Sequence, residues 1–129
     1  MEAKLPGFSV AADVAVAGPA LQVVAPITWP ATIAASGTFT STVVPTFGMP
    51  HVAVGVTLSN AGTLIMQPYL DAAGTVPAGA ATTQALVAAT GAVLDVNSGK
   101  VMGSMTVEII NGAASVGTLT HPIAVLQAR

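Results

Sequence analysis

The chain has 129 residues, of which 53% are hydrophobic and only 6% are charged. Three basic residues and a formal net charge of −2 argue against nucleic-acid binding, which depends on clustered Lys and Arg. The absence of cysteine excludes a disulfide scaffold and a thiolate metal site, and the richness in Val and Thr argues against disorder.

The first seven residues, Met1–Gly7, hold two of the eight charged residues together with a proline and a glycine. They predict an exposed arm or docking tail. No apolar segment follows a basic one here, so we expect no secretory signal. The apolar run Val14–Ala34 has the length of a membrane span, but Gly and Pro interrupt it and its Val, Ile and Thr favour strands. We therefore expect no membrane partner.

No Asp, Glu, Lys or Arg occurs between Val14 and Leu70. Such a surface lacks like-charge repulsion and the charged side chains that usually protect sheet edges. Two explanations fit this composition. Either other subunits cover much of the neutral surface, or it is a surface of Thr, Ser and Ala that is polar without charge. The first explanation predicts an oligomer.

Alternating apolar and polar residues predict strands in the first third of the chain at Phe8–Val16, Ala20–Ala25 and Gly37–Val44. Pro26 and Pro30 confine the intervening piece to an edge or a loop, because neither proline can donate to a ladder. Trp29, the single tryptophan, precedes Pro30. We expect it to be a packing anchor, and a ligand-stacking platform is the alternative.

The stretch His51–Ser59 alternates strictly between Val or Leu and smaller or polar residues, the pattern of a strand with one buried face. Asn60–Gly62 supplies turn residues that tolerate positive φ, and Thr63–Leu70 resumes an extended pattern. The two runs predict a hairpin at the centre of an all-β domain. Pro68 removes one backbone donor and predicts an edge position or an interruption.

Asp71–Ala81 is the longest predicted loop, built from small residues with Gly and Pro. Thr82–Thr90 fits a strand or a short helix; Ala and Gln support the helix, Thr and Val do not, and we favour the strand. Asn111-Gly112 is the strongest short hairpin signal in the chain. The other predicted elements are the strand Ala92–Val96, the turn Asn97–Lys100, the strand Val101–Ile110 and the final strand Ser115–Ala128, interrupted at Pro122.

About eight strands at fairly even spacing, separated by turn residues, predict an all-β fold of the antiparallel β-sandwich class. A jelly roll is one form that this sandwich can take. Residues 8–129 make up the predicted single domain and residues 1–7 the arm. Four methionines fall on or beside strands and are expected to fill the core or an interface: Met49, Met66, Met102 and Met105.

Candidate metal ligands are scarce, because a zinc site needs several ligands and the chain has only His51 and His121, far apart in sequence. Each stands beside a proline, where a solvent-facing or interface histidine is expected. Asp71 and Asp95 lie next to loops, where turn capping is the expected role, and one carboxylate per loop is too little for a calcium cage.

The acidic residues are too few and too scattered to indicate a glycosidase pair: Glu2, Asp13, Asp71, Asp95 and Glu108. No Gly-x-Ser-x-Gly nucleophile elbow occurs, although residue counts alone leave a Ser-His-Asp set open. We expect a protein that is not an enzyme, with no catalytic, cofactor-binding or metal-binding residues.

Several stretches resemble small structural proteins of tailed bacteriophages, over about residues 37–128. The matching stretches are Tyr69–Thr75 (YLDAAGT) and Thr82–Leu86 (TTQAL) within Leu64–Leu86, the turn Asn97–Lys100, and the strand Met105–Asn111. The resemblance implies a β-sandwich virion component, either a head-decoration (cement) protein, commonly a homotrimer, or a surface spike.

The leading hypothesis is therefore a capsid decoration protein that binds the major capsid protein at the joints of the outer shell. Met1–Gly7 would reach onto that shell, and the protein would be made in the host bacterial cytoplasm before it joins the virion. Two alternatives stay open. A receptor- or glycan-binding module of a phage spike or fibre would use Trp29, Tyr69 and the Asp71–Ala81 loop. A bacterial surface or matrix protein assembled by strand pairing is the other.

Overall fold

The computed structural model describes residues 22–97 and 102–128. This part of the chain contains ten strands and no helix, hence no helix long and apolar enough to cross a membrane. The strands are β1 (Gln22–Val24), β2 (Thr32–Ile33), β3 (Thr38–Thr40), β4 (Val44–Pro45), β5 (His51–Leu58), β6 (Gly62–Tyr69), β7 (Thr82–Leu86), β8 (Thr90–Asn97), β9 (Ser104–Asn111) and β10 (Gly117–Gln127). The predicted arm 1–7, the predicted strand Phe8–Val16 and most of the turn Asn97–Lys100 lie outside the described residues.

Two antiparallel sheets make up the fold. Sheet A has the order β1-β10-β5-β8, with β2 also paired to β10, and sheet B has the order β3-β9-β6-β7, with β4 also paired to β9. The pairs are nested, because β1 pairs with β10, β3 with β9, β5 with β8 and β6 with β7, alternately in one sheet and the other. This nesting is the topology of a jelly roll. The prediction of an antiparallel β-sandwich is confirmed.

One hydrophobic core fills the space between the sheets. β5 buries every second residue from Val52 to Leu58, and β9 buries Met105, Val107 and Ile109 in the same way. Each Val or Leu buried in this manner stabilises the fold by roughly 1.5–3 kcal/mol. The methionines pack as expected: Met66, Met102 and Met105 are fully buried, and Met49 is packed against the core.

The predicted hairpin at the centre of the domain is wrong. β5 lies between β10 and β8 in sheet A, whereas β6 lies between β9 and β7 in sheet B. Asn60–Gly62 therefore carries the chain from one sheet to the other, and Gly62 packs so closely that a Cβ atom there would lie 2.1 Å from the carbonyl oxygen of Ile110. Alternation reports that a strand has a buried face, but two strands facing each other across a core show the same pattern as two neighbours.

The hairpin predicted at Asn111-Gly112 is also wrong, because β9 belongs to sheet B and β10 to sheet A. Neither Asn111 nor Gly112 has the positive φ that a two-residue type I′ turn requires. The Asn111 side chain is buried instead, and its amide nitrogen donates to the carbonyl oxygens of Ile33, Ala34 and Ser115 at 2.8–3.2 Å. Asn111 is thus a structural link between the two sheets.

The two prolines inside strands act differently: Pro122 interrupts β10 as predicted, whereas β6 continues through Pro68, which has the predicted edge position because β7 no longer pairs with β6 there. Pro68 lies in β6 beyond the last pair with β7, and its carbonyl oxygen accepts a hydrogen bond from Ala78 N at 3.0 Å. Since the N–H and C=O of one residue in an antiparallel strand point to the same side, the missing donor of Pro68 faces the following loop and not β9. Around Pro122 the register of β10 shifts between Thr120 and Ile123, and His121 adopts a φ of 51°.

Three predicted strands have different limits in the structure. Gly37–Val44 divides into β3 and β4 around Ser41, whose hydroxyl accepts a hydrogen bond from Val107 N at 2.9 Å. Thr82–Thr90 is a strand and not a helix, but β7 ends at Leu86 and a turn with Ala89 at φ 57° leads into β8. β9 covers Ser104–Asn111, a later span than the predicted Val101–Ile110.

Candidate functional site

Charge on the described surface is confined to three carboxylates, because residues 22–97 and 102–128 contain Asp71, Asp95 and Glu108 but no Lys or Arg. Each carboxylate lies in a different environment: a loop, the outer face of sheet A and the outer face of sheet B. In this part of the chain, no group of three or more His, Cys, Asp or Glu is placed to hold a metal ion.

Asp71 closes the loop that follows β6. Its carboxylate accepts hydrogen bonds from the backbone N–H of Thr75 and of Val76, each at 2.9 Å, and a further bond from the Thr75 hydroxyl. These bonds, led by the Thr75 hydroxyl and then the Val76 N–H, lower the pKa of Asp71 below 3.8 because they stabilise the charged form. The predicted turn-capping role of Asp71 is confirmed.

The same prediction is wrong for Asp95, which lies in β8 and forms a hydrogen bond with His51 Nε2 on the neighbouring strand β5. The reason is geometric: Asp95 stands two residues before the end of its strand, opposite Ala53, with its side chain on the outer face of sheet A. The other imidazole nitrogen, His51 Nδ1, is buried and has no hydrogen-bond partner among the described residues. His121 is exposed at the break in β10.

The outer face of sheet B carries a cleft of about 340 Å³, lined by Thr40, Ile65, Gln67, Tyr69, Ala81, Thr106 and Glu108. Thr40 Oγ1 lies 3.3 Å from Glu108 Oε2, to which it donates. The Gln67 amide nitrogen donates to the carbonyl oxygens of Pro68 at 2.8 Å and Gly79 at 3.0 Å, which fixes its orientation beside the loop. An aromatic ring, a carboxylate and several hydroxyls can bind a neutral, polyhydroxylated molecule.

Trp29 is not one of the residues that line this cleft. Its ring packs against the core, with its centroid 5.9 Å from that of Phe39. The predicted packing role of Trp29 is confirmed, and only Tyr69 and the end of the Asp71–Ala81 loop meet at the cleft. Glu108 and Gln67 were missed as candidate binding residues, because their proximity depends on strand pairing that alternation does not reveal.

A second candidate surface lies at the end of the sandwich where β4, β6 and β9 meet. We call it the apolar end; it comprises Val43, Phe47, Leu70 and Val76, whose side chains are 39–70% exposed. Leu70 N donates to Val76 O at 2.8 Å, and a Cβ atom at Gly74 would lie 2.9 Å from Val43 Cγ2. The turn that holds Phe47 belongs to the same end. Thr46 N donates a hydrogen bond to the carbonyl oxygen of Gly103, and Gly103 N donates to the carbonyl oxygen of Tyr69, the last residue of β6.

Phe47 is the most exposed large apolar residue in the described part of the chain, at 70%, and it adopts a φ of 54°. A bulky side chain in the left-handed region is strained, and such strain concentrates where a residue is held for contact. Sequence reasoning does not find this geometry, because Gly48 is the expected left-handed residue of the turn; in the structure Gly48 is left-handed too, with a φ of 77°.

A comparison of the sequence with protein-family models and with curated proteins finds no match.

Proposed function

We propose that the protein is a structural component of a virion that decorates the outer shell of a tailed-bacteriophage head, binding the major capsid protein as an oligomer, with a homotrimer expected. The apolar end is the observation that supports this role best, because it exposes one strained aromatic residue and three aliphatic residues. The described part of the sandwich has only three charged side chains in all. Jelly rolls are frequent among capsid proteins.

Docking by the apolar end would remove these four side chains from water. At about 25 cal/mol per Å² of apolar area, burying them would stabilise each contact by a few kcal/mol, and the effect would be repeated at every joint of the shell. A decoration protein of this type needs no catalytic group and no cofactor. Its binding depends little on ionic strength, because no charge of the described residues other than Asp71 lies at this end.

Phe47→Gly separates docking from folding. Glycine relieves the left-handed strain, so the variant should be more stable in urea by roughly 1 kcal/mol. It should nevertheless bind stripped phage heads at least about tenfold more weakly and fail to raise their DNA-release temperature, because the aromatic contact is lost. Ala89→Gly is the matched control: it relieves the same strain at the opposite end of the sandwich and should leave binding unchanged. Equal binding by both variants would refute docking through Phe47.

The cleft on sheet B favours a second candidate function, a glycan-binding module of a phage spike or fibre. Its Tyr69 ring, Glu108 carboxylate and Thr hydroxyls have the chemistry of a saccharide site. Glycan-array binding that is lost in Tyr69→Ala and Glu108→Gln, and kept in Asp95→Asn on the other sheet, would support this function. Absence of binding by the wild-type protein on the array would count against it.

A further inference from the structure

The outer face of sheet A has a recessed line of small side chains between larger apolar ones, a shape suited to packing against another surface. After His51 at its start, the inner strand β5 presents small side chains on this face, at Ala53, Gly55 and Thr57; we call this line of three the furrow. On either side of Gly55 in the register stand Ile123 of β10 and Val93 of β8, which are 44% and 62% exposed. Each of these two residues is a single apolar projection beside the furrow, which we call a ridge; the next outward residue of β8 is Asp95, opposite Ala53.

The apolar area continues to the edge of the sheet and ends in a polar rim. Val24 of β1, 63% exposed, is paired with Val125, which is in turn paired with Ala53. The rim contains the hydrogen-bonded pair of His51 and Asp95, whose carboxylate is the only charged group that the described residues place on this face. An apolar centre with a polar rim is the usual anatomy of a protein interface.

We propose that a second copy of this chain packs against the outer face of sheet A, with a ridge of one copy seated in the furrow of the other. One face offers both projecting side chains and a hollow line, so it is complementary to itself. The missing side chain at Gly55 lets the partner's ridge approach the backbone, as in the face-to-face packing of sheets about 10 Å apart. This two-fold contact goes beyond the proposed function, whose trimer would use another contact, and it is separate from the apolar end.

The size of the face agrees with a second copy as its occupant. The strands β1, β10, β5 and β8 contain 3, 11, 8 and 8 residues, and at about 3.4 Å per residue and about 4.8 Å between strands they cover roughly 490 Å². Two copies would bury roughly 1,000 Å² in total, about the least that a specific interface needs. The expected association is therefore reversible and concentration-dependent. Because both copies use the same face, the contact is isologous and closes as a two-fold pair.

Gly55→Lys tests the contact in purified protein without any capsid. A Cβ atom at Gly55 would have its nearest neighbour, Ile123 Cγ2, at an ordinary 3.7 Å, so the monomer accommodates the change. Sedimentation velocity over a concentration series should show a monomer–dimer equilibrium of the wild type and an association at least about tenfold weaker for Gly55→Lys. Thr83→Lys, which adds the same charge at an exposed position of β7 in sheet B, should associate like the wild type.

Val93→Thr is a second variant for the case in which Gly55→Lys fails to fold. Threonine suits a strand, and at this exposed position its hydroxyl stays in water, so folding is retained while one ridge becomes polar. We expect its association to weaken severalfold. A wild type that stays monomeric at the highest concentration, or a Val93→Thr variant that associates as the wild type does, would overturn the proposed contact. Either result would leave the Phe47 docking experiment unaffected.

Discussion

The outer faces of the two sheets differ sharply although both belong to one jelly roll. The middle of the sheet A face is mainly Ala, Gly, Val and Ile, and the carboxylate that the described residues place there, Asp95, is bonded to His51. The face of sheet B carries a cleft in which threonines, a glutamine and Glu108 stand beside Ile65 and Tyr69. Both sheets have a similar buried face, so the difference between them lies entirely in the residues that the alternation assigns to the outside.

Two explanations were given for the nearly uncharged sequence, a surface covered by other subunits and a polar surface of small side chains. The difference between the faces indicates that each explanation applies to a different sheet. Sheet B has the composition of a polar surface with little charge, since Thr40, Thr106 and Gln67 provide hydroxyl and amide groups to water beside the carboxylate of Glu108. Sheet A has the composition of a covered surface, because Val93 and Ile123 offer water no hydrogen bond. A chain with so few charged residues can therefore contain one face suited to solvent and one suited to a neighbouring copy.

The largest difference in stability is expected between alanine substitutions of two glycines, each in an inner strand of its sheet. Gly62→Ala in sheet B places a Cβ atom 2.1 Å from the Ile110 carbonyl oxygen, a backbone atom that cannot yield, so we expect a loss of about 3 kcal/mol of unfolding free energy. Gly55→Ala in sheet A meets nothing closer than 3.7 Å and should be neutral or stabilising. Urea denaturation measures both. Similar losses for the two variants would mean that the sheets do not differ in backbone packing here.

Asn111 tests how firmly the two sheets are joined. Asn111→Asp keeps the shape of the side chain but replaces its amide donor with an oxygen that cannot donate to the carbonyl oxygens of Ile33, Ala34 and Ser115. The free energy of unfolding should therefore fall by about 2–3 kcal/mol at pH 7. The loss should shrink in acid, where the new carboxyl is protonated and can donate. Gln84→Glu adds the same charge on exposed β7 and is the control. Equal denaturation midpoints for the two variants would contradict this role of Asn111.

The alternation of apolar and polar residues predicted which strand faces are buried, but it did not predict which strands pair with each other. The pattern from Val52 to Leu58 correctly identified a buried strand face and, with the other runs, the sandwich class. The two turns at Asn60–Gly62 and Asn111-Gly112 were misread, because their turn chemistry suits a local hairpin while the core selects a crossing between sheets. Local sequence encodes a face and a turn; the burial of both faces against each other decides which strands become neighbours.

The candidate surfaces were predicted less completely than the fold. Tyr69 and the Asp71 loop were identified because an aromatic residue beside a long loop is visible in sequence. Phe47 and Glu108 were not, because their roles depend on a left-handed backbone and on cross-strand neighbours. The pairing of His51 with Asp95 has the same origin, since the two residues are distant in the chain and meet only through the register of β5 and β8.

A smaller difference in stability is expected between alanine substitutions of two serines, whose hydroxyl oxygens accept hydrogen bonds from backbone N–H groups, one in each sheet. Ser41 Oγ accepts from Val107 N in the buried part of sheet B, and Ser59 Oγ accepts from Thr118 N at the exposed end of sheet A. Ser41→Ala should cost about 1–2 kcal/mol because a buried N–H loses its partner, whereas Ser59→Ala should cost about 0.5 kcal/mol or less because water replaces the hydroxyl. Thermal or urea unfolding of both variants gives the comparison, and a larger loss at Ser59 would reverse it.

The smallest effect is the titration of Asp71 in the loop that borders the sheet B cleft. Because hydrogen bonds lower its folded-state pKa below 3.8, the folded protein binds fewer protons than the unfolded chain near that pH. Its contribution to stability is therefore fully present above pH 3.8 and is lost as the pH falls through the lower, folded-state pKa. Asp71→Asn should remove this part of the acid sensitivity. Thr75→Val keeps the carboxylate and removes the hydroxyl that lowers the pKa most, so the NMR titration midpoint of Asp71 should rise toward 3.8; an unchanged midpoint would exclude the Thr75 hydroxyl as the main cause.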